Sequence, residues 1–517
     1  MPRDDHRAVD ATPIPAMAGA AEAAAPKPLL GTVDVIAIIT GIVIGAGIFS
    51  APALVAANSS NAAQMMAAWV LGGLISLGGA LCYAELSTTH PSAGGEYHFL
   101  RLAFGHRISF LFAWARLTII PTGSIALLGF VFGDYATKLY ALGPYSSAVY
   151  AAAMVLALTT LNVVGLKSGK TTQNILTLLE VLGVLLIIGV GFWHAPPTSG
   201  LPDWGDAGNV SNWGLVLIFV MLTYGGWNEA AYVSAEVLGP GKNLPRALAI
   251  SLALITTLYF LVNWAYLAVL GLPALGASSA IAADMMQIAL GPVGAGIVAT
   301  LIAVSALTSA NATILTGART SYAFGRNSSL FSALGHWHAG RNAPVRALWV
   351  QAAIVLGLIL VGALTRSGFA TMVEYTAPVF WLFFVLTGVA LFVLRRKFPD
   401  RVRPYSVPLY PLLPLVFCAT SAYLLYASVR HTGIGALVGL SVLAMLAAAA
   451  LEPALPALLK PLVDESMIAG DRTAQWQVPL LLLTAFVFKG IADYLSTVSS
   501  QWIAHKAVTD LRCRLIH

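Results

Sequence analysis

The segment GIVIGAGIFS, from Gly41 to Ser50, places the three glycines Gly41, Gly45 and Gly47 inside an apolar stretch long enough to cross a membrane. Each glycine inside a helix costs up to about 1 kcal/mol relative to alanine, so their presence needs a reason. Either the glycines let another helix approach closely, or the helix is interrupted at this point. The choice decides whether this is an ordinary membrane span or half of a binding site.

The composition is typical of a membrane protein. Of the 517 residues, 58% are hydrophobic and only 10% are charged, and the mean hydropathy is +0.80. No soluble domain of this length needs so much apolar surface, so most of the chain is expected to lie in the lipid bilayer. The net charge of +6 comes from basic residues scattered between apolar runs. This distribution argues against a nucleic-acid partner and suggests topology signals instead.

The cysteines and the N-terminal segment carry no recognisable motif. Cys82, Cys418 and Cys513 are far apart and have neither metal-ligand nor disulfide spacing, so we expect no metal site. Residues 1–30 are rich in alanine and proline and lack a compact apolar core followed by a cleavage site. They are therefore predicted to form a disordered tail and not a signal peptide.

Apolar runs of membrane-spanning length occur about thirteen times. They lie near residues 33–57, 66–87, 108–137, 147–166, 174–193, 212–233, 246–270, 285–318, 345–365, 371–394, 409–429, 433–458 and 478–503. If the N-terminus is cytoplasmic, the outside loops between the first twelve runs hold only Lys138, Arg366 and Arg430, and the other loop lysines and arginines lie inside. This bias predicts a cytoplasmic N-terminus and an all-α polytopic membrane protein with about 12–13 transmembrane helices.

A second apolar run is interrupted in a similar way. The segment LTYGGWNEAAY, from Leu222 to Tyr232, puts two adjacent glycines into the sixth run. The two interruptions occupy corresponding positions in successive sets of five helices, and an odd number of helices inverts the second set. Paired glycine-broken helices indicate a transporter site near the bilayer midplane, where freed N–H groups attract an anion and freed C=O groups a cation. Close helix packing through glycine is the alternative.

Four segments carry more specific motifs. They are GIVIGAGIF, CYAELSTTHPSAGGEYHFLRLAFG (Cys82 to Gly105), YGGWNEAAYVSAEVLGPGKNLPRAL (Tyr224 to Leu248) and RPYSVPLYPLLP (Arg403 to Pro414). Together they resemble the amino acid–polyamine–organocation superfamily, and within it the L-type and cationic amino acid permeases, over about residues 30–443. The resemblance implies a five-plus-five inverted-repeat fold with discontinuous helices 1 and 6. It also implies secondary active transport of amino acids across the inner membrane by alternating access, and no enzyme activity.

The resemblance also implies substrate contacts at both interruptions. Backbone amides of the first helix would hold the substrate carboxylate, and carbonyls of the sixth helix would accept its ammonium group. The matching residues are Ile44, Gly45, Ala46 and Gly47 in the first helix, and Leu222, Tyr224, Gly225, Gly226 and Trp227 in the sixth. The chain departs from the family at Ala46, where a small polar residue is usual, and at Leu222, where related permeases place an aromatic gate.

Glu180, in TLLEVLGVLL, is a larger departure, because several relatives have a lysine here in place of a sodium ion. A carboxylate inside a span is costly if it is ionised and unpaired. We therefore expect Glu180 to bind Na⁺, to be protonated or to pair with a base, unless it lies at the cytoplasmic end of its helix. Ser305, Thr308 and Ser309 lie where this fold has a sodium-type site, but such hydroxyls more often bond a carbonyl four residues back. Coupling to Na⁺ or H⁺ is the only cofactor requirement that we expect.

Three more side chains near the interruptions have open roles. Glu229, one turn past the second interruption, either tunes the cavity and selects a cationic substrate or caps freed N–H groups. Arg116 must face protein or water, and we interpret it as structural. Trp227 either lines the pocket or is a packing aromatic.

The end of the chain follows another pattern. LEPALPALLKPLVDESMIAG (Leu451 to Gly470) and GIADYLSTVSSQWIAHKAVTDLRCRLIH (Gly490 to His517) resemble the opening of a type I ABC exporter of the lipid A flippase kind. If both parts insert as predicted, the basic C-terminal end lies outside, against the charge rule. Either this last segment does not span the membrane, or the chain is an accidental join of two genes, and we favour the join. We therefore interpret residues 1–30 as a tail, 31–443 as a permease domain, and 444–517 as an exporter-like fragment without an ATPase domain. An exporter subunit is the alternative function, and the sequence does not identify a partner subunit.

Overall fold

A computed structural model describes residues 26–194, 213–278, 280–329, 331–365 and 368–432. Within these ranges the chain is helical, and its only β contacts are two isolated bridges. The α-helices are α1 (Thr32–Val43), α2 (Ala51–Ala57), α3 (Ala62–Thr89), α4 (Glu96–Phe104), α5 (His106–Thr118), α6 (Ile120–Leu139), α7 (Ser146–Val164), α8 (Leu166–His194), α9 (Trp213–Thr223), α10 (Pro240–Ala277), α11 (Ile281–Leu290), α12 (Pro292–Asn327), α13 (Val345–Thr365), α14 (Gly368–Lys397) and α15 (Leu412–Thr432). The 3₁₀ helices are Ala46–Phe49, Trp227–Glu236 and Ser332–Gly335.

Eight helical segments in the described ranges are long and apolar enough to cross a membrane. They are Ala62–Thr89, His106–Thr137, Ser146–Val164, Leu166–His194, Pro240–Ala277, Pro292–Asn327, Pro378–Lys397 and Leu412–Arg430. Shorter apolar helices add Thr32–Val43, Ile281–Leu290 and Val345–Leu360. The prediction of an all-α polytopic membrane protein is confirmed. The runs predicted near 433–458 and 478–503, most of the N-terminal tail and all of residues 444–517 lie outside the described residues.

Glycine and proline divide some runs that were expected to be continuous. The run near 285–318 is split between α11 and α12 at Gly291, which has a φ of 64°, followed by Pro292. The run near 108–137 changes from α5 to α6 next to Pro121. The helix α10 is interrupted at Gly271, whose φ of 71° is not helical. Hydropathy alone located these segments, but local backbone chemistry set their ends.

One carboxylate holds the start of the first helix. Asp34 accepts hydrogen bonds from the Gly31 N–H at 2.9 Å and from the Asn174 side chain at 2.8 Å. It also forms an ion pair with Lys170 at 2.8 Å. Since Lys170 and Asn174 both lie on α8, this cluster fixes the beginning of α1 against that helix.

The structure explains the first of the three glycines in the segment from Gly41 to Ser50. A Cβ atom at this position would collide with the side chains of Gln173, Thr177 and Thr308. These residues belong to α8 and α12, between which α1 is packed. Gly41 is therefore a close-packing glycine, whereas Gly45 and Gly47 require a different explanation.

Candidate functional site

The first membrane helix is interrupted at Gly45, as the sequence predicts. The helix α1 ends at Val43, the Ile44 N–H still donates to the Thr40 carbonyl at 2.9 Å, and a short 3₁₀ helix begins at Ala46. Among the described residues, the N–H groups of Gly45 and Gly47 have no hydrogen-bond partner. The break therefore leaves free donors, which is the arrangement that binds anions at helix ends.

Ile44 differs from its two glycine neighbours. Its side chain is fully buried and its N–H group is already paired, so it belongs to the end of α1 and offers no free donor. Ala46 begins the 3₁₀ helix. Gly45 and Gly47 present unpaired amides in the described part of the chain.

The second interruption follows α9 and depends on glycine. Gly226 has a φ of 116°, which L side chains rarely adopt, and a Cβ atom there would collide with Ile42. The chain then continues as a 3₁₀ helix of 10 residues, whereas such helices are seldom longer than about four residues and often mark functional hinges. The carbonyls of Tyr224 and Gly225 accept no hydrogen bond from any described residue.

One cavity of about 280 Å³ lies between the two interruptions. Residues from both breaks line it, namely Ile42, Gly45, Leu222, Gly225 and Gly226. The other walls combine apolar side chains with hydroxyls, including Ile120, Leu128, Phe380, Ser124 and Thr313. The structure thus brings together freed amides, freed carbonyls and a mostly apolar chamber, which is how sites for small zwitterions are built.

Two side-chain hydroxyls bind backbone carbonyls that the interruptions release from helical hydrogen bonds. Ser309, on α12, donates to the Gly41 carbonyl at 2.9 Å. The Tyr259 hydroxyl, on α10, lies 2.6 Å from the Val43 carbonyl and 3.1 Å from the Thr223 carbonyl. Tyr259 therefore contacts the last turns of both interrupted helices. Nothing in the sequence marks this residue, because a tyrosine within an apolar run is not a specific signal.

The aromatic residues of the second interruption point away from the cavity. The Tyr224 hydroxyl donates to the Trp69 carbonyl at 2.9 Å. The Trp227 ring packs against those of Tyr83 and Phe384, with centroid distances of 5.1 and 5.3 Å. Neither side chain is among the cavity walls. Of the two roles considered for Trp227, the structure supports packing.

Arg116 and Glu229 form a bidentate ion pair in the cavity wall. The guanidinium donates from Nη1 to Glu229 Oε1 at 2.6 Å and from Nη2 to Oε2 at 2.9 Å. The guanidinium also lies over the Tyr232 ring, 4.2 Å from its centroid. The role of Glu229 as a cap for backbone N–H groups finds no support among the described hydrogen bonds, which join its carboxylate only to Arg116. Arg116 and Glu229 are far apart in the sequence, so their spacing does not predict this ion pair.

Glu180 lies midway along α8 and is 2% exposed. The alternative that it sits at a helix end is therefore wrong. The Ser305 hydroxyl is close enough to interact with its carboxyl, but neither Glu180 oxygen nor the Ser305 oxygen has a partner of hydrogen-bond geometry among the described residues. Thr308 instead donates to the Val304 carbonyl of its own helix at 2.8 Å. The hydroxyls of Thr308 and Ser309 are thus bonded to different carbonyls, whereas Ser305 has no described partner.

Comparison with known proteins gives a consistent result. The family model described as "Amino acid permease" matches residues 30–448. The b(0,+)-type amino acid transporter 1 of Mus musculus is 30% identical over 408 residues, covering 77% of this chain and 82% of the relative. The serine/threonine exchanger SteT of Bacillus subtilis (strain 168) is 30% identical over 424 residues, covering 80% and 95%. The large neutral amino acids transporter small subunit 2 of Mus musculus is 31% identical over 453 residues, covering 85% and 83%. The exporter alternative gains no support from these matches.

Proposed function

Because the chain belongs to the amino acid permease family, we propose that it is a secondary active permease that moves amino acids across the inner membrane by alternating access, with its N-terminus in the cytoplasm. The observation that carries this proposal is the cavity between the two interruptions. Gly45, with an unpaired amide, lines one side, and Gly225, whose carbonyl has no described partner, lines the other. An α-amino acid has the matching pair of charges.

In this proposal the substrate carboxylate binds the amides of the first interruption, and its ammonium group binds the carbonyls of the second. Leu222, which lines the cavity, takes the place that the resemblance gives to an aromatic gate. The smaller aliphatic side chain leaves the cavity less completely covered. The side chain of the substrate then extends towards the wall that contains Ile120, Leu128 and Phe380.

Uptake by proteoliposomes tests the proposed function directly. A panel of labelled amino acids, assayed with and without ATP, should give uptake that does not depend on ATP. The methyl ester and the N-acetyl form of the best substrate should compete poorly, because each removes one of the charges that the breaks bind. Strong competition by either derivative would contradict the site, and dependence on ATP would contradict the transport class.

Coupling to a cation is proposed for the group around Glu180. The carboxylate is fully enclosed and has no described hydrogen-bond partner, so it needs either a proton or a bound cation to remain inside the bundle. The Ser305 hydroxyl is close enough to share in binding. Protonation or Na⁺ occupancy would change the relative stability of the two access states and so couple the ion gradient to transport.

The proposed architecture has two inverted repeats of five helices, the second beginning with α9, and the permease domain of residues 31–443 is followed by an accidentally joined segment, 444–517. The match to the permease family through residue 448 supports this division.

A chain shortened to residue 458, after the twelfth predicted span, should retain amino acid uptake. Loss of uptake by that variant at normal membrane levels would assign a role to the last segment.

A further inference from the structure

The Arg116–Glu229 pair is unusual for its position. It joins α5 to the 3₁₀ helix that follows the second interruption, and both residues line the cavity. The side chain of Glu229 is 10% exposed and that of Arg116 only 3%. Both side chains line the cavity, and the carboxylate is the more exposed of the two.

The pair determines the charge of this wall. A lone carboxylate beside the cavity would attract a cationic side chain, which is one of the two roles open to Glu229 from sequence. With both oxygens bound by Arg116, the carboxylate is neutralised but still accepts hydrogen bonds through its remaining lone pairs. A charged substrate side chain placed against this wall would find no opposite charge to pair with, and burying it there is unfavourable.

One further carboxyl group acts on the pair without lining the cavity. Glu96 interacts electrostatically with both Arg116 and Glu229. It accepts hydrogen bonds from the Tyr83 hydroxyl at 2.6 Å and from the Asn228 side chain at 3.0 Å, and it is not among the cavity walls. Asn228 itself lines the cavity, and the other side chains of the wall are apolar or carry hydroxyls, as Ile120, Leu128 and Ser124 do.

We propose that Arg116 determines the substrate class of the cavity: by neutralising Glu229, it restricts transport to amino acids with uncharged side chains. This inference rests on the proposed function and adds to it a specificity-determining residue. Arg116 acts through Glu229 and not by contact with the α-carboxylate or α-amine, which belong to the interruptions.

The test compares substrates that differ in charge but little in size. Competition by glutamine is compared with that by glutamate, and norleucine with lysine, in wild type, Arg116→Met, Glu229→Gln and the double variant. Wild type should prefer the neutral member of each pair. Arg116→Met should improve lysine relative to norleucine by about tenfold, and Glu229→Gln should improve glutamate relative to glutamine by a similar factor. The double variant should prefer neutral substrates again.

A second buried ion pair provides a matched control. Arg319 binds both oxygens of Glu236, with side-chain exposures of 3% and 0%, and neither residue lines the cavity. Arg319→Met should reduce transport of all substrates in the same proportion. A merely structural role for Arg116 predicts the same result for Arg116→Met.

Several results would overturn the inference. One is a wild type that accepts lysine or glutamate as well as their neutral counterparts, and this needs no variant to fold. Another is a single variant, Arg116→Met or Glu229→Gln, that reaches the membrane with the same charge preference as wild type. If the wild type takes up no amino acid of any charge, the proposed function itself fails, and the inference fails with it. Uptake of neutral amino acids without the predicted shifts refutes the inference alone.

Discussion

Glu229 and Glu180 are both buried glutamates within the helical bundle, but their surroundings are opposite. Glu229 lies beside the cavity and has both oxygens bound by Arg116. Glu180 lies in the middle of α8, and neither of its oxygens has a described hydrogen-bond partner. Burial alone therefore does not define the role of a membrane carboxylate. A permanent partner makes it part of a wall, whereas the lack of one leaves it dependent on a mobile proton or cation.

The largest effect is expected from a large side chain in the first interruption. Gly47→Leu should lower uptake by more than about a hundredfold, because the side chain presses against Thr223 and favours a continuous helix over the break that leaves the amides unpaired. A Cβ atom at Gly47 already lies 3.4 Å from Thr223. Uptake is measured at equal membrane levels.

Gly189→Leu is the matched control, on the helix that carries Glu180. A Cβ atom at Gly189 meets nothing within 4 Å, so this variant should transport normally. Normal uptake by Gly47→Leu would mean that Gly47 serves packing and that the substrate binds elsewhere.

The same substitution should have opposite effects on stability at the two glutamates. Glu229→Met leaves Arg116 buried without its partner and should cost about 3–5 kcal/mol. Glu180→Met removes a carboxylate that has no described partner, and it should be neutral or stabilising by about 1 kcal/mol. Thermal unfolding in one detergent, at one pH, measures both. Equal destabilisation would show that Glu180 has a partner after all.

A smaller and more selective effect is expected from Glu180→Gln, which removes the charge and keeps the shape. Exchange of substrate across the membrane should remain largely intact, because the residue is not among the cavity walls. The dependence of net uptake on external pH or Na⁺ should become flat. A wild type without such dependence, or a variant that retains it unchanged, would make Glu180 structural.

The smallest effect separates two hydroxyls of α12. Thr308→Val removes a hydroxyl that donates to its own helix at 2.8 Å, so uptake and its ion dependence should stay within about twofold of wild type. Ser305→Ala removes the hydroxyl next to Glu180 and should shift the pH or Na⁺ dependence measurably. Equal effects of the two substitutions would argue against a cation site at Glu180.

The interruptions were predictable because their cause is local. Glycine removes the restriction on φ, and the φ of 116° at Gly226 is what such a residue allows. Apolar length similarly located the spanning helices. The Arg116–Glu229 pair was not predictable, since the residues are 113 positions apart and neither has a periodic pattern around it. The directions of the Tyr224 and Trp227 side chains also depend on packing between distant helices, which the sequence does not display.

The hydroxyl of Tyr259 lies between two carbonyl acceptors and has a single hydrogen to donate. Its hydroxyl lies 2.6 Å from the Val43 carbonyl and 3.1 Å from the Thr223 carbonyl, and a phenol has only one proton to donate. A shift of either helix end by a few tenths of an ångström would transfer the stronger bond from one carbonyl to the other. The Tyr259 hydroxyl therefore bonds more strongly to whichever of the two helix ends is nearer. Its O–H stretching frequency would report which end that is during the transport cycle.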